Sequence, residues 1–271
     1  MRRAPFLALL IAAPAAAQDP SRSAAEWLDD CRRGRWGDDA RACAVREVTL
    51  PRRSRLAVDG GRNGGVQVTG WDRDEIRVVA RLQAQADREG DARAMLEDVR
   101  VGTDGTVRAD GPRTDGDRGS WSVSYDVYVP RRTDLELQTE NGGIRVRDVD
   151  GRVRFAARNG GVALTDLSGD VQGETRNGGV RVALAGGAWR GTGLDVRTQN
   201  GAVRVAVPSR YDAELEVGTV NGRFDIDFPM TVSGRIGRTL RTRLGAGGPP
   251  VRVTTTNGSV TVERRGAGDD R

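Results

Sequence analysis

The chain has 271 residues, of which 37 are Gly, 4 % are aromatic and 30 % are charged, and its formal net charge is +5. It contains no His and no Lys, so neither a Ser-His-Asp triad nor a Cys-His pair can be assembled, and a zinc site has few ligands to draw on. Gly is about twice as frequent as the usual ~7 %, which suits a thin, turn-rich β protein.

Residues 1–17 read as an export signal. Arg2 and Arg3 form the basic start, Phe6 to Ala13 the apolar stretch, and Ala15-Ala16-Ala17 a small-residue site with cleavage expected between Ala17 and Gln18. The apolar stretch is shorter than the ~20 residues that cross a bilayer. No Cys follows the cleavage site to accept a lipid, and no second run of spanning length occurs, so the mature chain is expected to carry no transmembrane segment. Its expected place is the periplasm, the outside medium or the cell surface.

Segment 18–48 holds both cysteines, Cys31 and Cys43, and in an exported protein such a pair reads as a disulfide. Closing a loop of this size is worth about 3 kcal/mol on chain-entropy reckoning. Ser23 to Arg33 reads as a helix, with Ser23 as its cap and Glu26 as the reciprocal partner. A small helical, disulfide-linked cap is therefore expected over the first turn of the β region. Loss of Arg2 and Arg3 lowers the formal charge to +3, and Arg and Asp alternate, as in Asp72-Arg73-Asp74. A solvated face of mixed charge accounts for this better than a nucleic-acid site, although weak attraction to anionic polymers is compatible with it.

Residues 49–264 read as one continuous β domain, opened by Glu47 to Val58. Trp71, Ile76, Val78, Ala80 and Leu82 alternate as an extended segment, Ala92 to Val99 reads as two helical turns, and Asp110 to Gly119 as a loop. Trp121 to Val129 alternates up to a stop at Pro130. From there one phrase recurs, apolar-x-apolar-x-x-x-Asn-Gly-x-apolar-x-apolar. Its corners are Asn141-Gly142, Asn159-Gly160, Asn177-Gly178, Asn200-Gly201, Asn221-Gly222 and Asn257-Gly258, and Asn63-Gly64 is an earlier copy. Gly also falls every nine residues from Gly142 through Gly151, Gly160, Gly169 and Gly178 to Gly187, in phase with Ile144, Val153, Val162, Val171 and Val180. Each corner is expected at a left-handed or otherwise permissive position.

Two all-β architectures fit. In a single-stranded, β-helix-like solenoid the Gly column lies where coils approach closely. In an antiparallel meander or sandwich each Asn-Gly is a hairpin turn, with Thr139 opposite Ile144. The solenoid is preferred because the meander leaves one wide face uncovered. Loops are expected around Trp189 to Gly191, Ser209 to Tyr211 and Thr231 to Pro250, and 265–271 reads as a disordered polar tail.

The strand ending Tyr128-Val129-Pro130, the phrase Leu135 to Gly142, and its recurrence from Val207-Pro208 to Thr219-Val220-Asn221-Gly222 resemble the bacterial putative adhesin domain family, a domain of unknown function. The likeness covers about 49–263. It implies an exported Asn-Gly-repeat β-solenoid and supplies no catalytic residues.

A chemical site is hard to find in the sequence. An acidic-polysaccharide enzyme of the β-helix type would use Asp148, Asp166, Asp225 and Asp227 beside Arg145, Arg147 and Arg181. The simpler reading makes those carboxylates exposed strand-edge charges. The calcium-binding nonapeptide fails, since Gly142-Gly143-Ile144-Arg145 lacks its third Gly and its Asp. The Asn column is read as corner residues able to form side-chain ladders. Trp27, Trp36, Trp71, Trp121 and Trp189 are read as core or cap, with Trp189 and Tyr211 flanked by loops.

The expected function is therefore that of a non-enzymatic, adhesin-like binding or display protein of the cell envelope. It needs no cofactor or metal. Its expected partner is an envelope polysaccharide or protein, or a second copy of itself, and not nucleic acid. The alternatives are the β-helix enzyme and a structural or envelope-stress protein. N-terminal sequencing of the mature protein is expected to begin at Gln18; a sequence beginning at Met1 would overturn the export reading.

Overall fold

The computed structural model describes residues 20–33, 40–114, 119–227 and 238–265. Residues 1–19, Trp36 and 266–271 lie outside the described residues, so the expected signal and most of the expected tail do too. Helix α1 (Pro20–Arg33) precedes β1 (Ala40–Pro51), β2 (Arg55–Asp59), β3 (Val66–Trp71) and β4 (Glu75–Ala86). Helix α2 (Glu89–Asp98) leads into β5 (Arg100–Gly102), β6 (Thr106–Asp110) and β7 (Ser120–Pro130). The repetitive part runs β8 (Asp134–Thr139), β9 (Ile144–Arg147), β10 (Asp150–Asn159), β11 (Val162–Thr165), β12 (Ser168–Asn177), β13 (Val180–Ala183), β14 (Gly193–Asn200) and β15 (Val203–Val207). The last strands are β16 (Ala213–Asn221), β17 (Phe224–Asp227), β18 (Thr239–Leu244), β19 (Pro250–Asn257) and β20 (Val260–Arg264).

The fold is all-β, with two ten-stranded sheets. Sheet A has the order β1-β4-β7-β3-β9-β11-β13-β15-β20-β17, and sheet B the order β18-β16-β19-β14-β12-β10-β8-β2-β6-β5. From β8 to β15 the chain crosses from one sheet to the other at every strand, in a solenoid-like path. Successive coils pair in parallel and in register, with Val162 beside Ile144 and Val180, and Val153 beside Leu135 and Val171. The expected hairpin alternative is thereby excluded for these corners: Ile144 lies beside Val162 and Val66, not opposite Thr139.

The two-residue period explains the layering. Leu135, Val153, Val171, Leu194 and Val251 point inward from sheet B, and Ile144, Val162, Val180, Val203 and Val260 from sheet A, all at 2 % exposure or less in one continuous core. Each such side chain contributes roughly 1.5–3 kcal/mol on burial. Gly173 interrupts the column because the ring of Phe155 fills the space its Cβ would take.

Both ends depart from the uniform solenoid. β1, β4 and β7 form an antiparallel run, and β16 pairs antiparallel with β18. β18 lies inside the stretch expected to be loop, because Thr239 to Leu244 is long enough to alternate Leu240, Thr242 and Leu244 inward. The coil β19–β20 also sits out of sequence, between β14–β15 and β16–β17.

The N-terminal elements are likewise more integrated than expected. α1 begins at Pro20, so Ser23 lies within the helix and is not its cap. α2 begins at Glu89, three residues ahead of the expected Ala92, and buries Ala92 and Leu96. At its C-terminal end Arg46 donates to the carbonyls of Leu96 and Val99, neutralising the exposed end of the helix dipole. The disulfide Cys31–Cys43 ties α1 to β1, a strand of sheet A that runs through the expected boundary at residues 48 and 49. Arg265, assigned to the tail, instead donates to Asp166 and to the Leu184 carbonyl.

The Asn-Gly corners are close approaches; among their residues only Gly258 has a positive φ, at 156°. Among the described residues the non-Gly positions of positive φ are Asp148 (59°) and Asp166 (54°), and none of the corner Asn is among them. A Cβ on Gly160 would enter the carbonyl of Gly142. The same clash would follow for Gly142 on Gly64, Gly178 on Gly160, Gly201 on Gly178, Gly258 on Gly201 and Gly222 on Gly258. Behind this line sit buried Thr residues, each two before an Asn. Thr175 donates to Gly160 O, Thr198 to Gly178 O and Thr255 to Gly201 O, each at 2.8 Å. In the coil of Asn159 this position is Ala157.

Because backbone carbonyls cannot yield, Gly160→Val is expected to cost about 3 kcal/mol in denaturant unfolding, against less than about 0.5 kcal/mol for exposed Arg158→Ser. Equal losses would refute the close-approach account. Ala157→Thr supplies the missing donor to Gly142 O and is expected to stabilise by about 1 kcal/mol in the same assay.

Candidate functional site

Seven Asn side chains line one long corner of the molecule, in the spatial order 63, 141, 159, 177, 200, 257, 221. Asn141 donates through Nδ2 to Oδ1 of Asn63 at 3.1 Å, and Asn159 to Asn141 at 2.8 Å. Asn177 donates to Asn159 and Asn257 to Asn200, both at 2.7 Å, with Asn200 to Asn177 at 2.8 Å between them. Asn221 closes the series onto Asn257 at 2.7 Å. All seven are exposed. An amide has two donors and two acceptor lone pairs, so a single-file ladder leaves each of Asn159, Asn177, Asn200 and Asn257 with an unused N–H and an unused lone pair. Asn141 instead donates its second N–H to the Arg62 carbonyl at 2.8 Å.

Parallel strands repeat every ~4.8 Å, and the ladder inherits that interval. On its sheet A side the next positions are Gly65, Gly143, Gly161, Gly179 and Ala202, which add almost no relief, then Ser259 and Arg223 at the far end. Beyond them Arg145, Ala163, Arg181 and Arg204 form one row, and on the sheet B side Arg158 and Arg176 stand on neighbouring strands. The repeat therefore builds a straight, smooth edge of amides flanked by guanidinium groups.

The outer face of sheet B has a different character. Glu136, Arg154, Gln172, Asp195, Arg252, Glu216 and Arg241 follow one another across seven strands. Arg252 bridges Asp195 at 3.2 Å and Glu216 at 3.0 Å, and Arg154 holds Asp170 at 2.8 Å. The Arg154 contact holds the Asp170 carboxyl below its ordinary value. This is the mixed-charge face of the sequence reading, and its charges neutralise one another.

Of the carboxylates considered for catalysis, Asp148 and Asp166 neighbour each other on successive coils, but Asp225 and Asp227 do not join them. Asp148 and Asp166 occupy the left-handed corners after β9 and β11, where Asp is better tolerated than most residues. Each is held by an Arg, Asp148 by Arg131 at 3.4 Å and Asp166 by Arg265. They are thus partly buried corner residues and not exposed strand-edge charges. Asp225 and Asp227 lie on β17, at the far edge of sheet A. Among the described residues no group of three or more His, Cys, Asp or Glu could hold a metal ion.

The aromatic residues divide differently from expectation. Trp189 and Tyr211 are buried, with Trp189 Nε1 donating to Gly169 O at 3.2 Å. Trp71 is only half-buried, because it lies on the outer face of sheet A against Tyr128, with Arg73 over its ring at 4.9 Å. A cleft of ≈ 700 Å³ lies between Asp59 to Asn63 and Ala109 to Thr114 and is walled by Trp121. Tyr125 lines it; its hydroxyl is buried without a hydrogen-bond partner among the described residues, and burial pushes its pKa well up. No sequence signal distinguished Tyr125 from its alternating neighbours.

Two sheets, parallel through their central coils and joined by a corner of stacked Asn-Gly steps, define a repetitive, solenoid-like β domain. Residues 62–263 match the family model described as Toastrack DUF4097, and the chain belongs to that family of bacterial adhesin-like domains. Among solved structures it is similar to a putative cell adhesion protein from Clostridium sporogenes, with 8 % identity, TM-score 0.41, and coverage of 83 % of this chain and 100 % of the other. A putative adhesin from Bacteroides fragilis gives 11 %, 0.31, 83 % and 97 %, and a putative lipid binding protein from Parabacteroides distasonis 12 %, 0.29, 81 % and 96 %. Comparison with curated proteins gives no match. Among the described residues no helix is long and apolar enough to cross a membrane.

Burial raises the Asp148 carboxyl above its ordinary value, opposed by Arg131 and reinforced by Asp166. The native state therefore holds this proton more tightly than the unfolded chain. Stability from this group should fall as pH rises from the ordinary carboxylate range through the raised value. Asp148→Asn, neutral and at ease in a left-handed corner, is expected to flatten that decline in urea unfolding across pH. Asp148→Ala should flatten it equally but lie about 1 kcal/mol below Asp148→Asn at every pH.

Proposed function

We propose that the protein is an exported, non-enzymatic binding module of the bacterial cell envelope, a β-solenoid whose working part is the asparagine corner. The observation that carries this reading is the exposed, uninterrupted ladder from Asn63 to Asn221, held in register by the close-packed Gly line beneath it. Such an edge presents the same donor and acceptor set at regular intervals, which suits a partner that is itself repetitive. An envelope polysaccharide fits best, ahead of an envelope protein or a second copy of the chain.

In this reading residues 1–17 direct export, and 18–48 fasten the first strand through Cys31–Cys43. Residues 49–264 carry the repetitive surface, and 265–271 form a tail anchored at Arg265. The mature protein would act in the periplasm, at the cell surface or outside the cell, with no cofactor. Membership of an adhesin-like family supports the binding role.

The test is retention of the purified mature chain on glycan and peptidoglycan arrays, with and without Ca²⁺. Specific retention independent of Ca²⁺ is the expected result. Release of a shortened glycan would replace this reading with an enzymatic one, and absence of retention on every glycan would replace it with a structural role.

A further inference from the structure

We infer that the asparagine corner takes a linear polysaccharide bearing regularly spaced anionic groups, such as carboxylates, along its length. This inference rests on the corner being the binding surface. It follows from a contrast in charge between the two faces that meet there. On sheet B the acids and bases are matched strand by strand, so that face offers little net attraction. Beside the corner the matching thins to Asp126, whose field reaches Arg145, and Glu140, next to Arg158. Arg145, Arg158, Arg176 and Arg181 are exposed and form no ion pair among the described residues, while Arg204 meets Glu263 at 3.7 Å. The two flanking rows hold the acids Glu140, at the N-terminal end beside Arg158, and Asp225, at the far end beyond Thr261, so the excess of Arg lies in the central coils.

The register sets the spacing. Arg145 and Arg181 are two strands apart in one row, with Ala163 between them, which is ~9.6 Å along the corner at the parallel-strand interval. Arg158 and Arg176 are one strand apart on the other flank, at ~4.8 Å. Anionic groups recurring along an extended polymer can meet several of these guanidinium groups at once, in charge-assisted hydrogen bonds. The unused N–H and lone pair of Asn159, Asn177 and Asn200 then face the sugar hydroxyls between them. Gly143, Gly161 and Gly179 leave nothing on the sheet A side to hold a chain off the amides.

The same features argue against a single-stranded nucleic acid, which needs a series of stacking platforms. The aromatics that border this strip are gathered at one end, Trp27 beside Gly143 and Arg145 with its ring facing the Arg81 guanidinium at 5.9 Å, and Trp121 beside Asn63, and do not recur along it.

The test is biolayer interferometry of the mature protein against immobilised polygalacturonate, neutral dextran, single-stranded DNA and anionic phospholipid vesicles. Polygalacturonate is expected to bind, and to weaken about tenfold or more as salt rises from 50 to 500 mM, because exposed charges are screened. The double variant Arg176→Gln/Arg181→Gln should weaken it about tenfold further at low salt. Arg197→Gln, on the matched face, should leave it unchanged. Unchanged thermal unfolding would show that both variants fold. Binding of dextran as tight as that of polygalacturonate, or equal loss in Arg197→Gln, would overturn the polyanion inference and leave the binding role intact. Stronger binding to DNA or vesicles would also overturn it. No retention of either polysaccharide here, together with no retention on the arrays, would remove the binding role as well.

Discussion

Stacking one coil of backbone on the next at a sharp corner leaves no room for a side chain on the inner residue. At Gly142, Gly160, Gly178 and Gly201 the space for a Cβ is already taken by the carbonyl of the coil below. The residue before each must then turn its side chain outward, where an amide can bond to its counterpart above and below. The Asn ladder, the buried Thr donors and the parallel register of both sheets all follow from this one approach. Loss of Cβ also carries an entropic penalty in the unfolded chain, of the order of 0.5–1 kcal/mol per Gly, which the aliphatic columns behind the corner must offset.

Parallel stacking cannot by itself end. An open edge of a parallel sheet invites another strand, and the two ends of this molecule are closed differently. At the N-terminal end the long antiparallel strands β1 and β4, together with α2, cover the core, and the disulfide fixes α1 to the outermost strand. At the other end of sheet B, β18 turns back antiparallel along β16, where Arg241 and Arg243 reach across to Glu216 and Glu214. Charge on an edge strand is a familiar means of discouraging further pairing.

The central coils were legible because three residue columns repeat in phase over short distances: Asn-Gly, the first apolar position and the second. The alternation of Val and Leu with Arg and Thr then gave the two faces. What was hidden depends on distance along the chain or on common residues. Pairing of Ala40 with Ala86 has no local signature, so β1 was placed with the cap. Asp148 and Asp166 look like ordinary surface acids, and their left-handed backbone shows only in three dimensions. The Arg rows beside the corner were visible in sequence as scattered charge. Their separation from neutralising acids emerged only once register placed Ala163, and not an acid, between Arg145 and Arg181.

The order of the last coils bears on how the molecule is made. β16 and β17 do not rest on the coil that precedes them in sequence; β19 and β20 lie between, supplying the parallel partner for both. A growing or translocating chain can therefore add coils one after another only as far as Val207. The segment from Ala213 to Asp227 has to wait, unpaired on that side, until Pro250 to Arg264 has emerged and slid into the gap. Completion of this end is thus a late event that depends on Pro250 to Arg264, and a chain cut short before them loses the coil β16–β17 as well as the one removed.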